Sequence, residues 1–322
     1  MRIVVLGTGP FAVPMFQSLL DSTHDLRALI TRPVPPAKGR TAGAINPMRD
    51  AALARGLPVH EPPSINSDEG KRLMEQLAPE LLVVCDYGQI LTGDVLGLGP
   101  LGGINLHASV LPKYRGAAPI QWALLQGETE TGVSVIHMTP RLDGGPILIQ
   151  RKTAIGPEET HPQLEARLAL LGIEAVHAAI DQLAAWDGTS PIGTAQDVSQ
   201  ATKAPRLKKE QGAIDWSRSA EQIRNQVRAL QPWPGSYTFW QRPGQEPLRL
   251  SLEEANVMPR PPGAAPGTVV SGNRNELVVA TGGGGLSIKA LQPASKRVMS
   301  IAEFLRGYPV REGDRFAASP PD

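Results

Sequence analysis

The chain has 322 residues, 41% hydrophobic and 20% charged, with a net charge of +1. These proportions are ordinary for a soluble globular protein, leave room for two separate cores, and give no whole-chain attraction to nucleic acid. A single cysteine, Cys85, excludes an internal disulfide and an all-cysteine metal site.

From Arg2 to about Trp186 short apolar runs alternate with helical periods, the pattern of an α/β fold with a mostly parallel, Rossmann-like sheet covered on both faces. Strands are expected at Ile3 to Gly7, Leu26 to Thr31, Pro58 to His60, Leu81 to Cys85, Gly103 to His107, Gly132 to Met138 and Pro146 to Ile155. Helices are expected at Phe11 to Leu20, Pro47 to Arg55, Ser67 to Leu77, Ala117 to Gln126 and Thr160 to Trp186. In the last of these, Leu164, Leu168, Leu171 and Ala175 recur at helical spacing. No apolar run reaches membrane-spanning length, and the chain opens on a strand, so a cytoplasmic protein is expected.

The polar segment that follows, with Gly188, Pro191, Gly193 and Pro205, reads as a linker across the surface of the first domain. Domains are therefore expected over 1–187 and 210–322, joined by 188–209. In the second, a helix at Ser219 to Leu230 precedes short strands near Tyr237 to Trp240, Leu248 to Leu252, Gly267 to Val270, Glu276 to Ala280 and Leu286 to Leu291. Short strands between Gly/Pro turns suggest a small barrel. The tract Gly282 to Gly285 is expected to be a flexible hairpin loop, because no strand-to-helix junction follows it.

Chemistry concentrates at the end of one strand. In Ile104-Asn105-Leu106-His107 a carboxamide and an imidazole share one strand face where an apolar run gives way to a Pro/Gly loop. With a carboxylate from Leu142-Asp143-Gly144-Gly145, that set suits acyl transfer to an amine: one group polarises a carbonyl, one moves protons, one orients the ring. The other histidines, His24, His60, His137, His161 and His177, lack ligand spacing, and no metal is expected.

The glycine loop Gly7-Thr8-Gly9-Pro10-Phe11-Ala12 has the G-x-G-x-x-A form of a dinucleotide fingerprint, so a dehydrogenase must be weighed. The second strand, however, ends at Ile30-Thr31-Arg32, without the acidic residue that holds a ribose, and Asn105, His107 and Asp143 have no hydride role.

The run from Asn105 through His107, Ser109, Leu111, Pro112, Arg115, Gly116 and Pro119 to Ile120 resembles the signature of the 10-formyltetrahydrofolate-dependent formyltransferases, departing from it in Val110, where that family has Leu. Asp143-Gly144-Gly145 stands where the family commonly has Asp-Thr-Gly. The resemblance implies a formyl transfer from 10-formyltetrahydrofolate to a primary amine, with Asn105, His107 and Asp143 catalytic. It implies a folate site at Tyr87, Gly88, Ile90, Ser109, Val110, Leu111 and Pro112, and a glycine turn that serves helix packing.

The branches of the family differ in acceptor. The run Ala213-Ile214-Asp215-Trp216 and the Pro232-Trp233-Pro234-Gly235 turn resemble the start of the OB-like barrel appended in the branch that formylates methionyl-tRNA. From Ala201 onward 17 Lys+Arg face 11 Asp+Glu, so the C-terminal third is the part that would meet a polyanion. Lys38 and Arg40 in the Thr31 to Thr41 insertion, with Lys203, Arg206, Lys208, Lys209, Arg218, Arg224 and Arg228, are the expected tRNA contacts. The last three lie at helical spacings that suggest a ridge for phosphates. A nucleotide amino-sugar formyltransferase is the enzyme alternative. A folate- or RNA-binding protein without catalysis has no use for the three polar residues.

Overall fold

The computed structural model describes residues 1–33, 46–242, 244–259, 263–273 and 275–319. The chain divides into two compact units that interleave in sequence. One comprises Met1–Pro119, Glu130–Ile155 and Leu164–Pro205; the other Ile120–Thr129, Gly156–Gln163 and Arg206–Asp322.

The first unit contains β1 (Arg2–Gly7), α1 (Val13–Leu20), β2 (Asp25–Ile30), α2 (Pro47–Ala54), β3 (Val59–His60), α3 (Asp68–Leu77), β4 (Leu81–Cys85), α4 (Gly93–Leu96) and β5 (Gly103–His107). After α5 (Pro119–Leu125), which crosses into the other unit, come β6 (Glu130–His137), β7 (Ile147–Ala154) and α6 (His161–Ala184). The sheet order is β3-β2-β1-β4-β5-β6-β7. The first five strands are parallel. They are continuous apolar runs because both faces are covered: Ile3 to Leu6 and Leu81 to Val83 are wholly buried, each such side chain contributing about 1.5–3 kcal/mol.

β6 departs from the parallel pattern, running antiparallel to both its neighbours, β5 and β7. The short loop from Met138 to Pro146 cannot carry a crossover, so it joins β6 to β7 as an antiparallel pair. α3 starts where Ser67 accepts from the Gly70 N–H at 3.2 Å, with Asp68 and Glu69 in the first turn, the favoured sign at a helix N-terminus. On α6, Gly172 lets the helix come down on β5: a Cβ there would stand 2.6 Å from a methyl of Leu106. Leu106 thus faces α6, and Asn105 and His107, one residue to either side, share the opposite face.

The second unit carries α7 (Ala220–Ala229), β8 (Ser236–Gln241), β9 (Leu248–Met258), β10 (Val269–Asn273), β11 (Glu276–Ala280), β12 (Gly285–Pro293), β13 (Met299–Ser300), α8 (Ile301–Gly307) and β14 (Arg315–Ala317). Its antiparallel sheet, β10-β11-β12-β9-β8-β14, curls into a half-barrel. Its two edges are tied where Val269 donates to the Asp314 carbonyl at 2.8 Å and Phe316 to that of Gly267 at 2.7 Å. Ile214, Trp216, Ile223, Leu250, Leu286, Ile288, Phe304 and Phe316 fill it. Gly282 to Gly285 does close a hairpin, but a pinned one: Gly282 donates to the Trp216 carbonyl and the Gly283 carbonyl accepts from Ala220, each at 2.9 Å.

No helix among the described residues is long and apolar enough to cross a membrane.

Candidate active site

β5 delivers Asn105 half-buried and His107 buried at its end. The His107 Nε2 lies 2.9 Å from the Tyr114 carbonyl oxygen, which can only accept, so this nitrogen carries a hydrogen. Nδ1 faces the Asp143 carboxylate at 3.8 Å, with both side chains almost wholly buried. The same Asp143 oxygen accepts from the Gly116 N–H at 2.8 Å. Imidazole and carboxylate therefore meet as expected, at ion-pair rather than hydrogen-bond distance.

Asp143 arrives by an indirect route. Ile104 pairs with His137 and His107 with Ser134, so the loop after β6 leaves beside the amino-terminal half of β5. It reaches His107 by folding back toward it, not by projecting beyond the carboxyl ends of the strands. Asp143 adopts φ 48°, a left-handed conformation uncommon for a side chain other than glycine.

The loop from Ser109 to Gly116 is fastened from beneath. The Ser134 hydroxyl donates to the Ser109 carbonyl at 2.7 Å and accepts from the Leu111 N–H at 3.1 Å, while the Gln150 amide reaches Ser134 at 2.9 Å and the Leu111 carbonyl at 3.0 Å. Ser109 is fully buried and its hydroxyl is spent on the Lys113 carbonyl at 2.6 Å, and the Leu111 side chain is buried. These two shape the loop with side chains turned inward, leaving their backbone to face any ligand. Val110 and Pro112 remain partly open.

The Tyr87 side chain is turned inward as well. Its ring is buried in a core with Val4, Leu6, Leu82 and Val84, and burial pushes its phenol up to about 12. Gly88 and Ile90, which follow it, are exposed. Cys85 is buried, as a small core residue should be.

At the glycine loop a Cβ on Gly9 would fall 1.6 Å from an Asp86 carboxylate oxygen. The space a pyrophosphate would need is filled by a negative charge, which counts against a dinucleotide. Arg32 lies against Gly88, its guanidinium carbon 3.1 Å from where a Cβ would stand, and draws the Asp86 carboxyl down. Burial outweighs that attraction and leaves the carboxyl above its ordinary range. Glu165 on α6 is raised too, by burial first and then by the charge of Asp86.

The basic residues divide. Lys203, Arg206, Lys208 and Lys209 are exposed, and Arg218 is half-exposed. Arg224 pairs with Glu158 at 3.2 Å. Arg228 is turned inward: it is buried and donates to Asn225 at 3.0 Å and to the carbonyls of Gly156 and Glu159 at 3.3 and 3.2 Å. The expected phosphate ridge fails there because Arg228 is buried and backbone carbonyls hold its guanidinium. Lys38 and Arg40 lie outside the described residues. Among the described residues no three His, Cys, Asp or Glu side chains are placed to hold a metal ion.

A formyl transferase family model matches residues 1–180, and the model of the formyl transferase C-terminal domain matches residues 206–309. The methionyl-tRNA formyltransferase of Rhodopirellula baltica is 44% identical to this chain, covering 99% of it and 97% of the relative. That of Solibacter usitatus is 39% identical, over 98% of each. This chain belongs to the methionyl-tRNA formyltransferase family.

Among solved structures, the N-formyltransferase of Helicobacter canadensis superposes with a TM-score of 0.64 at 15% identity, over 89% of this chain and 98% of that one. HypX of Aquifex aeolicus in complex with tetrahydrofolic acid gives 0.57 at 16% identity; this chain, 95% of it matched, spans 47% of that longer one. These likenesses extend to the fold. Between the two segments matched by the formyl transferase models lies 181–205, which supplies a site residue that sequence reasoning missed, Gln196. It sits in a polar stretch with no periodicity and no motif, and only its hydrogen bonds single it out. Ser134 and Gln150 were missed likewise, as ordinary polar positions on β6 and β7.

Proposed function

We propose that this chain transfers the formyl group of 10-formyltetrahydrofolate to the α-amino group of initiator methionyl-tRNA in the cytoplasm, giving N-formylmethionyl-tRNA for translation initiation. What carries the reading is the approach of Asp143 to His107 at the end of the strand that also carries Asn105, in a chain similar along its whole length to methionyl-tRNA formyltransferases.

The neutral amine attacks the formyl carbon, a C–N bond forms, and the carbonyl oxygen becomes an oxyanion. Collapse breaks the bond to N10, which takes the electron pair and must receive a proton. Asn105 donates its amide hydrogen to the oxyanion, an interaction whose removal costs about 2.7–4 kcal/mol in other enzymes. The Nε2 hydrogen of His107 is engaged by Tyr114, so a second oxyanion contact from that atom requires release of the carbonyl. Nδ1 is the nitrogen left to take the proton lost by the amine and return it to N10, and Asp143 stabilises the imidazolium between the two events.

Gly88, Ile90, Val110 and Pro112 are the candidate surface for the folate donor, with Tyr87, Ser109 and Leu111 shaping it from behind. The first unit, through Pro205, is assigned the chemistry. Lys203, Arg206, Lys208, Lys209 and Arg218 are assigned to tRNA, along with Lys38 and Arg40. Radiolabelled formyl transfer offered methionyl-tRNA, a nucleotide amino sugar and glycinamide ribonucleotide in parallel tests the reading. Label on methionyl-tRNA alone is expected, and transfer to the amino sugar in its place would overturn it. Asn105→Ala and His107→Ala should each lower kcat by about a hundredfold.

A further inference from the structure

We propose that Gln196 is a positioning residue for formyl transfer: its single carboxamide ties the loop carrying Asp143 to the loop carrying Gly116, and so sets where the carboxylate stands relative to His107. This rests on the reading of Asn105, His107 and Asp143 as the catalytic set.

The Gln196 amide nitrogen donates to the backbone carbonyls of Asp143 at 2.8 Å and Gly145 at 2.7 Å. Its oxygen accepts from Arg115 twice, from Nε at 3.1 Å and Nη2 at 2.6 Å. Every donor and acceptor site of the carboxamide is thereby used. Arg115 is bonded in sequence to Gly116, whose N–H holds the Asp143 carboxylate. These bonds close a ring: Gln196 to the Asp143 backbone, through the Asp143 side chain to Gly116, and back by Arg115 to Gln196. Asp143 in its left-handed conformation is thus restrained at both its carbonyl and its carboxylate.

Gln196 is itself anchored on both sides. Two residues earlier, Thr194 exchanges paired backbone bonds of 2.8 Å with Ile147 at the start of β7. After it, the Thr202 hydroxyl accepts from the Tyr114 N–H at 2.8 Å, the Thr202 carbonyl from Arg115 at 2.9 Å, and the Arg115 carbonyl from Ala204 at 2.7 Å. Gly116, at φ 128°, is needed for this approach: a Cβ there would stand 2.5 Å from the Ala204 carbonyl oxygen. The stretch expected to be a linker is a strap built onto the first unit, and Gln196 is where it grips the two loops.

Gln196→Glu separates positioning from simple bracing. A carboxylate keeps, and strengthens, acceptance from Arg115, yet cannot donate to the carbonyls of Asp143 and Gly145. Gln196→Ala removes both sets. Both variants should lose about tenfold or more in kcat, since small misplacement of a catalytic group is costly, with KM for methionyl-tRNA and for the folate donor within about twofold of wild type. Gln196→Glu should melt near wild type. If Gln196→Glu turned over at the wild-type rate, or if the loss in Gln196→Ala lay in KM or melting temperature alone, the residue would be a brace and the proposal would fall. His107→Ala is run alongside: its retaining full turnover would overturn the catalytic reading, whereas a dead His107→Ala beside a fully active Gln196→Glu overturns this proposal only. Should wild type formylate another of the amines offered, the same comparison is read on that amine.

Discussion

Asn105 and His107 were legible in the sequence because strand alternation is a local rule: two residues apart on a strand means one face, whatever the rest of the chain does. Asp143 was joined to them by the chemistry the set would need and by resemblance, since nothing in its own neighbourhood says that the loop folds back toward β5. Gln196 was not legible at all, because it acts on backbone carbonyls, and a carbonyl has no signature in sequence. The same holds for the carboxylates near the glycine loop, whose proximity is purely tertiary. Glu165 is raised by burial and then by Asp86, so between its unfolded and folded pKa values the native state binds more protons than the unfolded state. Stability must then fall as pH rises through that window, and the cost persists at neutral pH. Glu165→Gln should therefore be more stable than wild type at about pH 8 in urea unfolding, and the gap should close as the pH is taken below the ordinary carboxylate range near ~4. A variant no more stable than wild type at the higher pH would show that Glu165 is not penalised when charged.

Elements were read well where a period runs long enough to be seen. Continuous apolar runs gave β1, β4 and β5, and three- and four-residue recurrences gave α3, α6 and α7. The short elements β13, α8 and β14 escaped, since none carries a continuous apolar run or a period that stands out from its surroundings. The reversed direction of β6 escaped too, because an apolar run has no arrow. That reversal matters for the site: β6 brings Ser134, and β7 brings Gln150, under the Ser109 to Gly116 loop. Ser134 both donates to and accepts from this loop while fully buried, so Ser134→Ala leaves the Leu111 N–H and the Ser109 carbonyl without that partner in a dry environment. The expected cost is about 1–3 kcal/mol in equilibrium unfolding, with a rise in KM for the folate donor as Val110 and Pro112 lose their support. Unfolding indistinguishable from wild type would mean that Gln150 alone fastens the loop.

Over the whole molecule the sequence order and the spatial order differ. A linear division at the polar stretch was expected, whereas Ile120–Thr129 and Gly156–Gln163 belong with the C-terminal half-barrel. Apolar periodicity marks elements and not which core receives them, so this interleaving has no sequence signal. It also reassigns part of the basic charge. Arg228 secures Gly156 and Glu159 within the second unit, while Lys208 and Lys209 are exposed to solvent. Charge in sequence reports a cation; burial decides whether it is structural or available to a polyanion. The two kinds should separate cleanly by experiment. Lys208→Ala with Lys209→Ala should leave the melting temperature within about a degree, since exposed substitutions change stability little, raise KM for methionyl-tRNA, and flatten the dependence of log affinity on log salt by roughly one unit for each phosphate no longer neutralised. Arg228→Ala should do the reverse: strip two partly buried carbonyls of a charged donor, destabilise the fold by about 1–3 kcal/mol, and leave the salt slope where it was. A steep loss of salt dependence in Arg228→Ala at unchanged stability would return that residue to the tRNA surface, and would mean that its inward bonds are exchanged for phosphate when the substrate arrives.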